Sequence, residues 1–384
     1  MSTALRRRCC CALALAAGLA AGAALAADSG PVPLTRLSLG DIGGWIELRV
    51  EVNGQPGRWL IDTGSTRHVV STAFATRHGL AAGALARADT ALGPVQGAEV
   101  ALPPLRIGQH EHAGQTALRL DDLRALLGPA GEGLDGVLGV PLLAGVSLDL
   151  DLQRWSLAIT EVVPADCPAG TLALPLGTHR GLPVLALRID DGPAQALLLD
   201  TGNPAAVVHI VADAPDATEP GLALPGGARL ALARRAAVGA WQRADVPVLR
   251  VPAPGLHRAL APRIAGLAGT AWLDGTRWQI QLGPQRACVS PQPPGLPGGF
   301  GLTLAQRGDA LVIDTVLPGG PAEAAGLRAG DAVQRWAGGG VDGPLRALWA
   351  RVQGPADLVL QVGTDAPEVR EVRLQRAHFL PRLP

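Results

Sequence analysis

The 384-residue chain contains no tyrosine and no lysine, and only three phenylalanines and one methionine. All 33 basic residues are therefore arginine. Alanine, glycine, proline and arginine share GC-rich codons. With 50 Gly and 33 Pro, the bias reads as the mark of a GC-rich bacterial genome rather than of a function. Neither sign of charge prevails, 33 basic residues standing against 33 acidic ones, and no basic block follows the first few residues. That excludes nucleic acid and anionic membrane surfaces as partners. Long apolar runs are missing after residue 26, so no later segment offers a transmembrane span. Cysteine is scarce too: beyond Cys9, Cys10 and Cys11 only Cys167 and Cys288 remain. In an oxidising compartment these two could pair, closing a loop of about a hundred residues and stabilising the fold by up to ~4–5 kcal/mol. Two unpaired buried thiols are the alternative.

What is present begins with a secretory pattern. Arg6-Arg7-Arg8 form a positive start, an Ala/Leu-rich stretch follows, and Ala24-Leu25-Ala26 offers a small-x-small cleavage site. The three early cysteines precede the apolar stretch, which argues against lipid attachment. The expectation is a signal peptide over 1–26 and a periplasmic protein, with an uncleaved membrane anchor as the alternative. The remaining length suits two or three domains, and a hydrophobic content of 48% is ample for real cores.

The stretch "WLIDTGSTRHVV" (59–70) runs from apolar residues into Asp62-Thr63-Gly64. A given tripeptide appears by chance in about one chain in twenty of this length, so this one alone decides nothing. A second stretch, "ALLLDTGNPAAVV" (196–208), repeats it around Asp200-Thr201-Gly202, with Val207-Val208 matching Val69-Val70. Turn pairs Asn53-Gly54 and Asp191-Gly192 precede the two aspartates, each after alternating apolar positions: a hairpin feeding a buried strand, twice. The copies also end alike. Val137-Leu138-Gly139 answers Leu267-Ala268-Gly269, and each is followed by an alternating strand with a tryptophan, Trp155 and Trp278. This is a duplicated all-β lobe. Helix signals are few: Ser71 caps a short helix over 72–78, and another fits 121–127.

Two such turns, each following an apolar strand and each answered by an apolar-apolar-Gly element, resemble the aspartic proteases, more closely the small retropepsin-like lobes than pepsin. The resemblance covers about residues 35–285. It implies a mainly β, two-lobed fold with Asp62 and Asp200 as a catalytic pair. Carboxylates held ~3 Å apart at an effective dielectric near 20 would repel by ~5 kcal/mol if both ionised, so one keeps a proton. The ionised member removes a proton from water, and the protonated member donates to the scissile carbonyl oxygen. Which of the two holds the proton is left open, and no metal or cofactor is implied. In the family's pattern Thr63 and Thr201 tie the turns together, while Gly64 and Gly202 let the backbone turn beneath the carboxylates. A flap is expected at a hairpin with its tip near Gly93–Gly97, over an extended polypeptide substrate.

Two departures stand out. Ser65 follows the first motif as the family allows, but Asn203 follows the second, where Ala, Ser or Thr is usual. The absence of tyrosine removes the flap tyrosine of pepsin-like members, which retropepsin-like flaps do without. Alone, each aspartate is equally well a turn residue capping a strand, and an inactive dyad on the same fold is a further reading. The aspartate of transport ATPases would need an adjacent lysine, and there is none. His110 and His112 fall on one side of a strand without a visible third ligand and read as a solvated hairpin edge; His68 reads as a surface histidine.

The segment "PQPPGLPGG" (291–299) reads as a stiff linker. Beyond it, "VLPGGPAEAAGLRAGDAV" (316–333) resembles the signature of PDZ domains of bacterial secreted proteases: a turn, a short helix and a Gly-Asp turn into a strand. A helix-like run over 344–353 and two alternating strands complete the pattern. Phe300-Gly301-Leu302 matches the loop whose N–H groups capture a peptide's terminal carboxylate. The expected organisation is signal peptide 1–26, lobe 1 27–160, lobe 2 161–290, linker 291–299 and PDZ domain 300–384. The expected function is periplasmic aspartic endopeptidase acting on polypeptides, with the PDZ domain recognising protein C-termini at its groove or regulating access. The alternative is an inactive protease-fold or PDZ scaffold of the cell envelope that binds peptides.

Overall fold

A computed structural model describes residues 31–38, 44–90, 93–127, 131–260, 262–291, 298–307, 310–336, 339–340, 357–363 and 369–383. The expected signal peptide, most of the expected linker and the helix expected over 344–353 lie outside the described residues. Among the described residues no helix is long and apolar enough to cross a membrane. The chain is mainly β, as its alternating patterns predict.

The first half opens with β1 (Val32–Ser38) and β2 (Gly44–Val52). Asn53 and Gly54 take the left-handed conformation (φ 51° and 73°) that a two-residue hairpin turn requires, and β3 (Gln55–Ile61) returns beside β2. After β4 (His68–Ser71), helix α1 (Thr72–Arg77) is capped by Ser71, whose Oγ accepts the Phe74 N–H at 3.1 Å. Strands β5 (Leu85–Thr90) and β6 (Gly93–Ala101) pair as the expected hairpin, but Gly93 through Gly97 lie within β6, with Gly93 opposite Thr90. Gly97 is mid-strand, pairing with Ala86. A Cβ there would stand 2.2 Å from the Arg119 carbonyl oxygen, so this glycine serves close strand approach and not a turn. Next come β7 (Leu105–Ile107), β8 (His110–His112), β9 (Thr116–Leu120), α2 (Arg124–Leu127) and β10 (Gly136–Leu138). Helix α2 starts later than its sequence suggests, because Asp122 accepts the Arg124 N–H at 2.8 Å.

Strand β11 (Ser147–Asp151), β12 (Ser156–Thr160), β13 (Leu172–Pro175) and β14 (Gly177–His179) lead into the second half. There β15 (Leu182–Ile189), β16 (Ala194–Leu199), β17 (Val207–Val211), β18 (Leu222–Ala223), β19 (Arg229–Val238) and β20 (Trp241–Pro252) precede α3 (Pro254–Leu260). Strand β21 (Gly266–Ala268), α4 (Thr270–Leu273), β22 (Arg277–Gln281) and β23 (Arg286–Val289) close it. The spatial order β2-β3-β10-β4-β9-β6-β5 is repeated as β15-β16-β21-β17-β20-β19-β18. Strand β10 runs parallel to β3 with Leu138 opposite Ile61, and β21 parallel to β16 with Ala268 opposite Leu199.

Hydrogen-bond register corrects two details of the repeat. Val69 faces Val137 and Val208 faces Leu267, so the valine pairs are offset by one residue: the link after the second turn is one residue longer. Trp155 and Trp278 are not equivalent either. Strands β11 and β22 pair with each other, and Trp278 lies within β22 opposite Leu150. Trp155 sits in the turn after β11 at φ 52°, and its counterpart in the turn after β22 is Gln285 at φ 54°. Cys167 and Cys288 are joined in a disulfide that ties the segment before β13 to β23.

The few aromatic residues are concentrated inside. Trp59 meets Phe74 edge-on at 5.2 Å, and Trp241 meets Trp272 at 4.8 Å and Trp278 at 5.3 Å. Truncating any of these to alanine is worth about 3–5 kcal/mol. They pack with Ile46, Leu48, Ile61 and Leu199, so the strands that carry the two Asp-Thr-Gly turns rest on one apolar core.

The last segment forms its own sheet from β24 (Leu302–Arg307), β25 (Ala310–Val316), β26 (Ala332–Trp336), β27 (Gly339–Gly340), β28 (Asp357–Gly363) and β29 (Val369–Gln375), with α5 (Pro321–Ala324) after β25. Gly298 and Gly299, placed by sequence in the linker, lie against the chain beyond β29, and Gly299 exchanges two backbone hydrogen bonds with Ala377. Further on, Leu232 of β19 donates to Pro381 O and accepts from Leu383 N–H, so residues 381–383 lie along the second half's sheet.

Candidate active site

Parallel pairing explains where the two aspartates stand. Asp62 leaves β3 with its N–H on Leu138 O, and Asp200 leaves β16 with its N–H on Ala268 O, each at 2.8 Å. From these anchored starts the two turns interlock. The Thr63 N–H donates to Thr201 Oγ1 at 3.0 Å, and the Thr201 N–H donates to Thr63 Oγ1 at 3.1 Å. Each hydroxyl then donates across the interface, Thr63 to Leu199 O (2.6 Å) and Thr201 to Ile61 O (2.8 Å). Both threonines are buried, so these four bonds are shielded from water.

The glycines act on the opposite carboxyl. A Cβ on Gly64 would stand 2.4 Å from the Asp200 carboxyl carbon, and a Cβ on Gly202 would stand 2.4 Å from that of Asp62. Only a residue without a side chain lets the carboxyls meet. Within each turn the glycine N–H donates to its own aspartate, Gly64 to Asp62 Oδ1 at 2.8 Å and Gly202 to Asp200 Oδ1 at 2.9 Å. The two carboxyls also hydrogen-bond to each other.

Burial is the main influence on both carboxyls and pushes each above the ordinary carboxylate value. Asp200 is pushed further, because the charge of Asp62 and the hydrogen bond between them add to burial. Asp62 is held back by accepting that bond together with the N–H groups of Gly64, Ser65 and Gly202. The pair titrates as a unit, with Asp200 the member biased toward keeping the proton.

Asn203 does in its turn what Ser65 does in the other. Its Oδ1 accepts the Ala205 N–H at 3.2 Å, as Ser65 Oγ lies 3.4 Å from the Arg67 N–H. Its carbonyl accepts the Thr270 N–H at 2.8 Å, as that of Ser65 accepts the Val140 N–H at 2.8 Å. The amide side chain therefore closes the same turn as a hydroxyl would.

The remaining sequence candidates lie elsewhere. His68 is fully buried, not on the surface: Nδ1 accepts the Gly139 N–H at 3.1 Å and Nε2 meets Gln115 at 3.2 Å. Burial pulls its pKa down to about 4. It links the first turn's strand to the apolar-apolar-Gly element. His110 and His112 lie on edge strand β8, His110 beside Glu161 at 3.6 Å. Among the described residues no group of three or more His, Cys, Asp or Glu is arranged to hold a metal ion. Phe300, Gly301 and Leu302 lead into β24. Phe300 O accepts the Ala322 N–H, and Gly301, left-handed at φ 77°, accepts the Leu317 N–H through its carbonyl.

Residues 48–142 match the family described as Aspartyl protease. No curated protein matches the chain. The aspartyl-protease match spans β3, the first Asp-Thr-Gly turn and β10, and it ends before the second turn. Geometry places Asp200 beside Asp62: the second turn repeats the threonine and glycine hydrogen bonds of the matched one.

Residue types hid two contributors. The indole N–H of Trp45 donates to Gly202 O at 2.6 Å, and Thr270 Oγ1 donates to Thr201 O at 3.0 Å. Gly44-Trp45 before one hairpin and Gly181-Leu182 before the other would have aligned them, but no residue pattern shows that Trp45 reaches the turn 157 residues away. Arg243 was equally hidden. Fully buried beside Trp241, it donates to Ala271 O at 3.1 Å and to Asp274 O, fixing α4 behind the second turn.

Proposed function

We propose that this protein is a secreted, periplasmic aspartic endopeptidase of retropepsin-like type. One observation carries the reading: two partly buried carboxyls hydrogen-bonded to each other, each backed by the glycine of the opposite turn. That arrangement holds one proton between two aspartates. In the proposed mechanism Asp62, the more readily ionised member, takes a proton from a water lying against both carboxyls. The hydroxide attacks the scissile carbonyl carbon while Asp200 gives its proton to the carbonyl oxygen. Asp62 then returns a proton to the leaving nitrogen, and Asp200 regains its own as the tetrahedral intermediate collapses.

On this reading residues 27–160 and 161–290 are the two lobes, and the β5–β6 hairpin is the flap of the first. The segment from 300 onward is a PDZ domain. The left-handed Gly301 and the turn-helix signature around α5 support that assignment, with Phe300–Leu302 as the carboxylate loop for a protein C-terminus. The test is cleavage of an unfolded polypeptide by the wild type, Asp62→Asn and Asp200→Asn. Loss of cleavage in both variants is expected, by about a hundredfold or more. Equal cleavage by all three would refute the dyad, and no cleavage by the wild type would leave the peptide-binding scaffold as the better account.

A further inference from the structure

The two turns are not supported equally: two side-chain donors from outside bond the carbonyls of the second turn and, among the described residues, have no counterpart at the first. Strand register identifies the counterparts. Glu47 pairs with Leu60 and Val184 pairs with Leu198, each partner standing two residues before its aspartate. Two residues upstream of Glu47 is Trp45, and two upstream of Val184 is Leu182. The apolar-apolar-Gly elements Val137-Leu138-Gly139 and Leu267-Ala268-Gly269 are followed by Val140 and Thr270 respectively. At both positions the residue bearing on the second turn carries a donor, and the residue at the corresponding place near the first carries only hydrocarbon.

Those donors reach successive carbonyls. Thr270 Oγ1 donates to Thr201 O at 3.0 Å and Trp45 Nε1 to Gly202 O at 2.6 Å. Each carbonyl shares a peptide plane with the next residue's N–H. The N–H partnered with Thr201 C=O is that of Gly202, which donates to Asp200 Oδ1 at 2.9 Å. The N–H partnered with Gly202 C=O is that of Asn203, which donates to the main-chain O of Asp200 at 3.1 Å, closing the turn beneath the carboxyl, and favours the carboxyl's ionised form. A hydrogen bond accepted by a carbonyl polarises its peptide unit and strengthens the N–H on the other side by about 10–30%. It also fixes the plane, so that the N–H cannot swing away.

We propose that Trp45 and Thr270 are positioning residues for Asp200, holding the peptide planes at 201–202 and 202–203 so that the Gly202 N–H meets its carboxyl and the Asn203 N–H closes the turn beneath it. The proposal rests on the dyad reading and adds what limits its asymmetry. Burial and the facing charge of Asp62 both oppose ionisation of Asp200, and among the described residues Asp62 is the charged side chain that acts on it. The two oriented N–H groups are the counterweight. Removing Trp45 or Thr270 weakens that counterweight without touching either carboxyl.

The experiment is a titration of ¹³C-carboxyl-labelled aspartates by NMR in the full-length protein, which reads the pair whether or not a good substrate is in hand. Wild type is compared with Trp45→Phe, Thr270→Val and Thr270→Ser. Phenylalanine keeps a ring but no donor, valine keeps the shape of threonine, and serine keeps the hydroxyl. Both donor-less variants are expected to titrate with the apparent pKa values of the pair raised by about half a unit, a threefold change in proton affinity. Thr270→Ser should return to the wild-type curve. Donor-less variants that are folded and superimpose on wild type would overturn the proposal, and so would a serine variant that shifts as valine does. Failure of the underlying dyad looks different: Asp62 and Asp200 of the wild type would then titrate independently at ordinary carboxylate values.

Discussion

At the scale of single residues, the site is built from groups whose charged forms oppose the folded state in different pH ranges. Asp200 has a folded-state pKa raised by burial and by Asp62, so the folded protein binds its proton more tightly than the unfolded chain does. Its contribution therefore favours folding at low pH and turns against it as pH rises above the unfolded value near 3.8. Asp200→Asn keeps a donor toward Asp62 and removes the charge. It is expected to raise the melting temperature at neutral pH and to leave it nearly unchanged in acid, measured by calorimetry at both. His68 works in the other direction. Its pKa falls from 6.5 to about 4 on burial, so the unfolded chain binds the proton more tightly, and stability drops as pH falls from 6.5 toward 4. His68→Asn, with an acceptor placed to serve the Gly139 N–H, is expected to flatten that acid-side loss in urea unfolding. At Gly64 the argument is steric: Gly64→Ala places a methyl on the Asp200 carboxyl, and cleavage should fall by about a hundredfold or more while the fold persists.

At the scale of elements, alternation and turn chemistry made most of the strands legible. Ile46, Leu48, Val50 and Val52 point to β2 because every second residue enters a core, and Asn53-Gly54 supplies the left-handed pair that its hairpin needs. The two Asp-Thr-Gly turns were legible for the same reason, each being fed by such a hairpin. Register was not. Matching Trp155 to Trp278, or Val69-Val70 to Val207-Val208, follows residue type, whereas pairing follows hydrogen bonds that tolerate a tryptophan in a strand or in a turn alike. The tip of the β5–β6 hairpin is not legible from its glycines, because Gly97 signals a close approach of β9 as readily as a bend. That glycine provides the test at this scale. Gly97→Ala drives a methyl into the Arg119 carbonyl and should destabilise the fold by about 1–3 kcal/mol, read from urea unfolding. The buried role of His68 escaped sequence reading because its Gln115 partner lies 47 residues away on the edge leading into β9.

At the scale of the whole molecule, three long-range ties hold the parts in one arrangement. Strands β11 and β22 join the two halves in a continuous ladder, with Arg277 of β22 donating to Asp149 of β11 at 2.8 Å. The Cys167–Cys288 disulfide spans 121 residues of chain, and replacing both cysteines by serine is expected to cost about 2–4 kcal/mol of stability. Residues 381–383 lie along Leu232, where Arg382 also meets Asp245 at 2.9 Å, so the last segment's sheet is fastened to the second half. All three ties bear on the same requirement: two carboxyls from turns 138 residues apart must meet to within a hydrogen bond. The most direct test of that requirement is hydrolysis of an unfolded polypeptide from about pH 3 to about pH 8 by the wild type and by the double variant Asp62→Asn/Asp200→Asn. The account predicts a bell-shaped profile for the wild type, bounded by the two ionisations of the pair, and no cleavage by the double variant at any pH. Cleavage by the double variant at the wild-type rate would contradict it.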